Sequence, residues 1–334
     1  MIENKTIRIG FLIFPGFPMS CLTSMIEPLR AANEIAGVEA FSWVLLSEKG
    51  GRVMSSASVM FEAARALTSD LPLDVLILLS SPTARFTNER SGNGALRALG
   101  RHGVILGSVS GGVFPLMRSG AVNDQPVSVH WCYEAAFKVE FPSVQAMSDV
   151  IVTTATCYTA SGATAAFDLA LHMIEESLQA DVAHEVACWF QHPLMRGKGV
   201  QQRVPRTQMP HTGAKLPDLV ARCVAIFTAD LETPISVADI ALETGVSPRQ
   251  IERAFKKATG QSPSHYFRAL RMQAARQLVM YSKIQIADIA SSVGYSSAVP
   301  LETHYRSALG CSPREDRERI NQFRVNGNVP LPSS

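Results

Sequence analysis

The chain has 334 residues, of which 46% are hydrophobic and only 18% are charged. That length exceeds what one hydrophobic core usually serves, so we expect two globular domains, and the composition excludes a chain that is disordered throughout. The 31 Lys and Arg residues nearly balance 29 Asp and Glu residues, but residues 217–334 carry 14 basic against 11 acidic side chains, and residues 1–216 carry 17 against 18.

The first half of the chain alternates short apolar runs with helical patterns. The runs are rich in Val, Ile, Leu and Phe, as strands buried on both faces of a parallel sheet are. They are Ile7–Phe14, Phe41–Leu46, Val75–Leu79, Val104–Val109 and Val150–Thr154. Helices are predicted at Leu22–Ala36, Ala84–His102 and Ala163–Leu178. This alternation predicts an α/β fold, a doubly wound, flavodoxin-like sandwich around a parallel sheet.

A glycine-rich turn follows the fourth apolar run. Ser110 precedes Gly111 and Gly112, and a helix is predicted from Val113 to Ser119, so Ser110 should lie at a tight elbow beside a helix N-terminus. Backbone N–H groups at such a turn, with an acidic and an aromatic side chain nearby, can bind a small molecule. The predicted ligand-binding residues are Glu27, Ser110, Gly111, His130 and Trp131.

For two of these residues, a role without any ligand is an equally good interpretation. Glu27 is also consistent with a solvated charge on a helix, and Trp131 with a side chain that only packs. If the two converge, the pocket would suit a cationic or quaternary ammonium ligand through charge pairing and cation–π attraction.

Residues 7 to about 195 resemble the PfpI-type, class I glutamine amidotransferase-like domain, in the branch fused to AraC-type DNA-binding domains. The matching stretches are Ser24–Asn33, the elbow, Val129–Trp131 and Ser161–Asp168. Enzymes of this superfamily carry cysteine at the elbow, where a helix N-terminus lowers the pKa of a thiol. Here the residue is Ser110, so we predict a non-catalytic sensing domain. The alternative is a Ser110-dependent hydrolase or amidotransferase-like enzyme fused to a DNA-binding domain.

The resemblance also bears on the ligand. The branch includes regulators of arginine, carnitine and betaine catabolism, which implies an amino acid or a quaternary amine as effector and does not choose among them. We expect no metal and no other cofactor, since the six cysteines have no C-x-x-C spacing.

From Ile235 onward one helix-turn-helix pattern is written twice. Ala238-Asp239-Ile240-Ala241 and Gly245-Val246-Ser247 recur as Ala287-Asp288-Ile289-Ala290 and Gly294-Tyr295-Ser296. In each copy a glycine can end the first helix in the left-handed conformation, and Ser247 or Ser296 can cap the second. That second helix is the one that enters a DNA major groove in such motifs.

Long polar and basic side chains are expected on the outer face of both recognition helices, where phosphates and guanine edges attract them. In the second copy Pro300 falls early in the helix, so we expect that helix to start late or to kink. With Arg306 as its one basic residue, the second copy should contribute less affinity. The predicted DNA-binding residues are Ser247, Arg249, Gln250, Arg253, Lys256, Lys257, Ser296, Ser297, Thr303 and Arg306.

Residues 217 to about 320 resemble the DNA-binding domain of the AraC/XylS family, including the connecting segment His265–Tyr281. The predicted organisation is a ligand-sensing domain at 1–199, a linker at 200–216, a DNA-binding domain at 217–322 and a disordered tail at 323–334. The resemblance implies a transcriptional regulator; we expect an activator and a homodimer that binds promoter DNA, a small-molecule effector and RNA polymerase. An architectural DNA-binding protein without a ligand is the third interpretation.

The N-terminus lacks the layout of a signal peptide, because Arg8 interrupts its early apolar stretch and Pro15-Gly16 ends it. No apolar run reaches the roughly 18 residues that a membrane helix needs. The prediction is a cytoplasmic protein without a membrane partner.

Overall fold

The structure, a computed structural model, describes residues 5–122, 125–192, 195–203, 216–233 and 235–322. These residues form two compact units, one up to Arg203 and the other up to Gln322. The predicted tail at 323–334 and most of the predicted linker, residues 204–215, lie outside the described residues.

The first unit alternates strands and helices. Its strands are Ile7–Ile13 (β1), Phe41–Ser47 (β2), Gly51–Met54 (β3), Met60–Ala63 (β4), Arg65–Ala66 (β5), Val75–Ser80 (β6), Ile105–Ser110 (β7), Val127–Ser128 (β8), Ala146–Met147 (β9), Ile151–Thr153 (β10) and Cys157–Ala160 (β11). Its α-helices are Met19–Ala36 (α1), Glu89–Arg101 (α2), Val113–Arg118 (α3), Glu134–Glu140 (α4), Ala163–Ser177 (α5) and Ala180–Trp189 (α6), with a 3₁₀ turn at Trp131–Tyr133.

Among the described residues, seven strands form the main sheet in the order β10-β11-β7-β6-β1-β2-β5. Only the β10–β11 pair within it is antiparallel. Alternate residues of each strand are buried on opposite faces, as Ile9, Phe11 and Ile13 join the core under α1, α5 and α6. Leu106 faces the other side, against Gly100 of α2. The predicted doubly wound α/β fold is confirmed.

The carboxyl end of β7 passes very close to β6. A Cβ atom on Gly111 would lie 2.4 Å from the Ser80 carbonyl oxygen, and one on Gly112 would lie 2.0 Å from the Leu78 carbonyl oxygen. Both distances are far inside van der Waals contact, so the chain can turn here only without side chains. The glycine pair is therefore a packing requirement of the elbow.

Two predicted boundaries differ from the structure. Helix α2 begins at Glu89 and not at Ala84, because the Asn88 side chain caps it by accepting a hydrogen bond from the Ser91 N–H. The predicted linker begins too early at residue 200. Val200 accepts a hydrogen bond from the Val150 N–H, and Gln201 forms a β-bridge with Asp149, so residues 200–203 belong to the first unit.

The second unit is helical throughout its described secondary structure. Its helices are Asp218–Ala229 (α7), Val237–Thr244 (α8), Pro248–Thr259 (α9), Pro263–Tyr281 (α10), Ile286–Ser292 (α11), Ala298–Leu309 (α12) and Pro313–Gln322 (α13). Helices α7 to α9 pack with the first half of α10 around Phe227, Ile251 and Phe255, and the second half of α10 packs with α11 to α13. Among the described residues of the whole chain, no helix is long and apolar enough to cross a membrane.

We expect Gly112→Ala to lower the free energy of unfolding of the first unit by about 1–3 kcal/mol, because the added methyl group overlaps the Leu78 carbonyl. The matched control is Gly94→Ala within α2, where nothing lies within 4 Å of the added Cβ. Alanine also favours a helix over glycine by about 1 kcal/mol, so the control should be neutral or stabilising. Urea unfolding of both variants measures the difference, and equal stabilities would contradict the packing requirement.

Candidate functional site

The first helix-turn-helix is capped at each end of its two helices. Ser236 and Asp239 form a capping box at the start of α8, and Gly245 ends that helix with a φ of 71°. Ser247 and Gln250 form a second capping box at the start of α9, where Pro248 occupies the first helical position. These contacts satisfy backbone N–H groups that a helix start leaves without partners. The predicted motif is confirmed here in its turn and in its caps.

A basic stripe runs along the outer face of α9. Arg249, Arg253 and Lys257 lie at successive intervals of four residues, so they share one face of the helix, and all three are exposed. In the described part of the chain none of the three forms an ion pair. Three unpaired cations on one recognition helix are the charge pattern that a DNA backbone attracts.

The other predicted DNA-binding residues at α9, namely Ser247, Gln250 and Lys256, have hydrogen-bond partners within the protein. The Gln250 Oε1 atom accepts hydrogen bonds from the Ser247 N–H at 2.9 Å and hydroxyl at 3.0 Å. The Lys256 ammonium donates to the Gly260 carbonyl at 3.1 Å, at the C-terminus of the helix. Their contacts to DNA stay predictions, and these internal bonds show that all three side chains also hold the ends of α9.

The second helix-turn-helix starts its recognition helix one residue later than the first. Ser296 was predicted as the cap, and this is wrong: the N-cap is Ser297, which makes no side-chain capping hydrogen bond. The late start places Pro300 at the third helical position, where the missing N–H would have had no partner within the helix. Helix α12 then runs on to Leu309, so the expected late start is what the structure shows.

The outer face of α12 is less basic than that of α9. Arg306, its only Lys or Arg, lies 3.4 Å from the Glu315 carboxylate, so its charge is partly balanced inside the protein. Thr303 donates its hydroxyl hydrogen bond to the Val299 carbonyl one turn earlier. Ser296, Ser297 and Thr303 are nevertheless exposed, and their roles on DNA stay predictions.

Arg271 of α10 joins the connecting helix to the turn of the second motif. Its guanidinium lies 4.3 Å from the Phe267 ring centroid and 5.7 Å from that of Tyr295. It also donates a hydrogen bond to the Gly294 carbonyl at 3.3 Å. Because Phe267 stacks on Phe227 of α7 at 4.5 Å between centroids, a chain of ring contacts links the two motifs.

A cavity of about 480 Å³ opens in the first unit. The N-terminal end of α5, residues 161–165, forms one wall. His130 and Trp131 form another, and Arg196, Gln202 and Arg203 contribute polar atoms. Its size and mixed lining suit a small metabolite.

A buried carboxylate holds one wall of this cavity in place. The Asp168 side chain of α5 has no solvent exposure. It accepts hydrogen bonds from the His192 Nε2 atom at 3.0 Å, from the Arg196 backbone N–H at 3.0 Å and from the Arg196 Nε atom at 2.9 Å. A buried carboxylate requires such partners, so the chain after α6 is tied to α5 at this point.

The structure brings His130 and Trp131 together and leaves the other three predicted residues elsewhere. The His130 and Trp131 rings lie 5.5 Å apart on the cavity wall. Glu27 lies in the middle of α1, about half exposed and 3.0 Å from the Arg30 guanidinium. Among the described residues that line the cavity, Glu27, Ser110 and Gly111 do not appear. Their roles in ligand binding stay predictions.

Ser110 has the strained backbone of an elbow residue. Its φ is +56°, a left-handed value that is costly for a side chain other than glycine. No described histidine donates to or accepts from its hydroxyl; the His130 Nδ1 atom instead accepts hydrogen bonds from the Cys132 N–H and thiol. The described residues thus provide the elbow geometry without an adjacent histidine base.

Comparison with known proteins agrees with this architecture. Residues 240–319 match a family described as a helix-turn-helix domain. The HTH-type transcriptional regulator GbdR of Pseudomonas aeruginosa is 32% identical over 310 residues, which cover 93% of this chain and 84% of GbdR. The chain belongs to the AraC family of transcriptional regulators.

Two further proteins are similar to this chain, one over most of its length and one over about half of it. The HTH-type transcriptional regulator ArgR of Pseudomonas aeruginosa is 29% identical over 93% of both chains. A crystal structure of an AraC family transcriptional regulator from Pseudomonas putida shares the fold, with a TM-score of 0.50 and 22% identity over 55% of this chain and 99% of that chain. This chain is accordingly a DNA-binding regulator of transcription, and its named relatives are regulators too.

Sequence reasoning missed the polar network behind the cavity. Asp168 enters the sequence prediction only within the matching stretch Ser161–Asp168, and His192 and Arg196 lie outside every predicted site. A usable signal was present, since Asp168 interrupts the apolar face of a helix whose neighbours Ala165, Leu169 and Leu171 are buried. A lone carboxylate on such a face predicts cationic or N–H partners from another segment.

We expect Ser247→Ala to lower the free energy of unfolding of the second unit by about 1 kcal/mol, since it removes the capping box of α9. Ser296→Ala is the matched control, because Ser296 is exposed and caps no helix. Its stability should stay within about 0.5 kcal/mol of the wild type. Denaturant unfolding followed by circular dichroism compares the two variants, and an equal loss in both would refute the asymmetry between the two motifs.

Proposed function

We propose that this chain is a cytoplasmic transcriptional activator in which a metabolite bound to the sensing domain, residues 1–199, controls the DNA-binding domain, residues 217–322. The observation that carries the proposal is the basic stripe on a doubly capped recognition helix, in a chain that also holds a metabolite-sized cavity. The basic stripe would attract DNA, and the cavity would bind the metabolite that controls the protein.

The two recognition helices would divide the work on DNA unequally. Tandem motifs in one chain read successive major-groove segments about one helical turn, roughly 10 bp, apart. The basic stripe of α9 provides three unpaired cations, whereas Arg306 of α12 is paired with Glu315. We therefore assign most of the affinity for DNA phosphates to the first motif. The second motif would mainly orient the protein on its operator.

The cavity at His130 and Trp131 is our candidate effector site. An amino acid or a quaternary amine, the classes that the family resemblance implies, has a suitable size for about 480 Å³. Such a ligand can control DNA binding only by having different affinities for two arrangements of the protein. The prediction that Glu27 supplies the charge of the site has no support from its position on the surface of α1.

A sensing role fits the elbow better than hydrolysis does. A serine hydroxyl needs a positioned base to become a nucleophile. Ser110 is 8% exposed, and among the described residues no histidine contacts its hydroxyl. The strained φ of Ser110 is the one observation in favour of the enzyme alternative.

We also propose a homodimer formed through the α/β domain and a contact with RNA polymerase at the promoter. A dimer would place four helix-turn-helix motifs on one operator. The support is the family resemblance alone, and the oligomeric state in solution can be measured directly by light scattering.

The double variant Arg249→Ala/Arg253→Ala should bind an operator at least about tenfold more weakly than the wild type. The slope of log Kd against log salt should fall by about 1 to 2, because each phosphate contact contributes about 0.9. The operator is a duplex selected from a random library by the wild-type protein, and anisotropy of the labelled duplex gives Kd at several KCl concentrations.

The control removes two cations outside the recognition helices, in the variant Arg222→Ala/Arg314→Ala. Both arginines are exposed, on α7 and α13. A loss of affinity and slope equal to that of the stripe variant would mean that only overall charge matters, and the assignment of α9 to the major groove would fail.

A fluorophosphonate probe, which labels activated serine nucleophiles, separates sensor from hydrolase. We expect no labelling of the wild-type protein at Ser110, and we expect Ser110→Ala to keep its operator Kd within about twofold, since the elbow is in the other unit. Labelling of the wild type that disappears in Ser110→Ala would establish the enzyme alternative.

A further inference from the structure

The two recognition helices present different chemistry at equivalent positions. In α9 the basic stripe begins at the second residue after the N-cap and continues at intervals of four residues. Counted in the same way from its own N-cap, α12 has an uncharged side chain at each of these positions, and all three are exposed. This uncharged stripe consists of Val299, Thr303 and Ser307.

Helix α12 as a whole has little charge with which to bind phosphates. It contains one Arg and one Glu, whereas α9 contains four Lys or Arg residues and one Glu. Glu302 is exposed beside the uncharged stripe, and phosphates would repel its carboxylate. A recognition helix of this composition can add to binding mainly through contacts with base edges, which are the contacts that carry sequence information.

Val299 is an exposed apolar side chain at the end of α12 that meets base edges in such motifs. It is 73% exposed, while Leu301 and Tyr305 on the opposite face of the helix are fully buried. The N-terminal residues of a recognition helix are those that contact bases in the major groove. There the apolar group that a base pair presents is the C5-methyl group of thymine, and covering both methyl surfaces removes them from water.

Thr303 can add a second methyl group one turn further along the helix. It shares a face with Val299, because the two residues are four positions apart. Its hydroxyl donates a hydrogen bond to the Val299 carbonyl at 3.1 Å, so the hydroxyl proton is already used within the helix. What Thr303 has left to offer a thymine is its methyl group, a contact that threonine makes in DNA recognition.

From this difference between the helices we infer that α12 recognises thymine in its part of the operator by methyl contact. Val299 makes the principal contact and Thr303 the second one. Helix α9 has cations at the same positions, which suit phosphates and guanines instead. The inference rests on the proposed function, and it names the base preference by which the second motif orients the protein on DNA.

Deoxyuridine is the probe of this contact, because it lacks the C5-methyl group of thymine and keeps all of its hydrogen-bonding groups. Each thymine of the operator selected by the wild-type protein is replaced in turn, and anisotropy gives the Kd of each duplex. For the wild type we expect at least one replacement to raise the Kd about fourfold, the effect of losing one buried methyl group.

Val299→Ala should remove this dependence on the thymine methyl group. The replacement that weakens wild-type binding should change the Kd of the variant by less than about 1.5-fold, because the methyl group has lost its partner. Val139→Ala is the matched control, since Val139 is an exposed valine on α4 of the first unit. It should keep the fourfold effect. The inference is overturned if no thymine shows an effect that depends on residue 299, or if the two valine variants behave alike.

Two substitutions of Thr303 separate a methyl contact from a hydrogen bond. Thr303→Ser keeps the hydroxyl and loses the methyl group, whereas Thr303→Val keeps a methyl group and loses the hydroxyl. We expect Thr303→Ser to raise the operator Kd about two- to fourfold and Thr303→Val to leave it nearly unchanged. An equal loss in both variants, or a larger loss in Thr303→Val, would overturn the contact assigned to Thr303.

Effector measurements separate this inference from the proposed function. A thymine effect that depends on residue 299, with none of arginine, carnitine and betaine changing operator affinity, would uphold the inference and count against metabolite control by these compounds. Control by one of them, together with thymine effects that no substitution of Val299 alters, would uphold the proposed function and overturn the inference.

Discussion

The burial of one carboxylate fixes one wall of the cavity at His130 and Trp131. Asp168 has no solvent exposure, and its oxygen atoms are shared among the His192 ring, the Arg196 backbone and the Arg196 side chain. Removing one partner of a buried ion pair typically costs about 3–5 kcal/mol, because the other charge is left uncompensated. The segment that follows α6 is thereby held against α5, and residues of both segments line the cavity.

The two helix-turn-helix motifs achieve similar folds by different means. The first uses capping boxes and an apolar core in which Ile251 and Phe255 are fully buried. The second lacks those caps and uses polar anchors: Asp316 accepts hydrogen bonds from the Tyr305 hydroxyl and the Arg276 guanidinium, and the buried Arg317 donates to the Val279 carbonyl. The Tyr305–Asp316 hydrogen bond holds the C-terminal half of α12. The start of this helix contains Pro300 and has no side-chain capping hydrogen bond from Ser297.

Much of the fold could be predicted from local patterns. Apolar runs such as Val75–Leu79 and the repeated glycine and serine positions act over a few residues, so periodicity and capping preferences identify them. The Ser296 cap was predicted by analogy with Ser247 of the first copy, whereas the helix starts one residue later, after Ser297, in line with the effect expected of Pro300. The linker start failed because residues 200–202 look like loop yet pair with Ser148–Val150 from a distant part of the chain.

The candidate sites likewise differ in how far local sequence determines them. The surface of α9 follows from helical spacing alone, so its exposed residues were predictable. The cavity depends on contacts between α5, the 3₁₀ turn at Trp131 and residues 192–203, which are far apart in sequence. The motif around His130 and Trp131 predicts two residues that line this cavity, and their role in ligand binding stays a prediction. Glu27 was assigned by motif as well, and its surface ion pair shows that motif membership does not determine where a side chain lies.

The pairing of residues 200–202 with the first unit has a consequence for how a signal leaves it. Gln202 holds the Trp131 N–H and the Val129 carbonyl at 2.9 and 2.8 Å, and the next residue, Arg203, reaches the cavity. Past Arg203 the polypeptide continues as the covalent tether to the DNA-binding helices. A molecule bound against Arg203 would therefore contact the last described residue of the first unit, the residue from which the chain continues toward the DNA-binding helices.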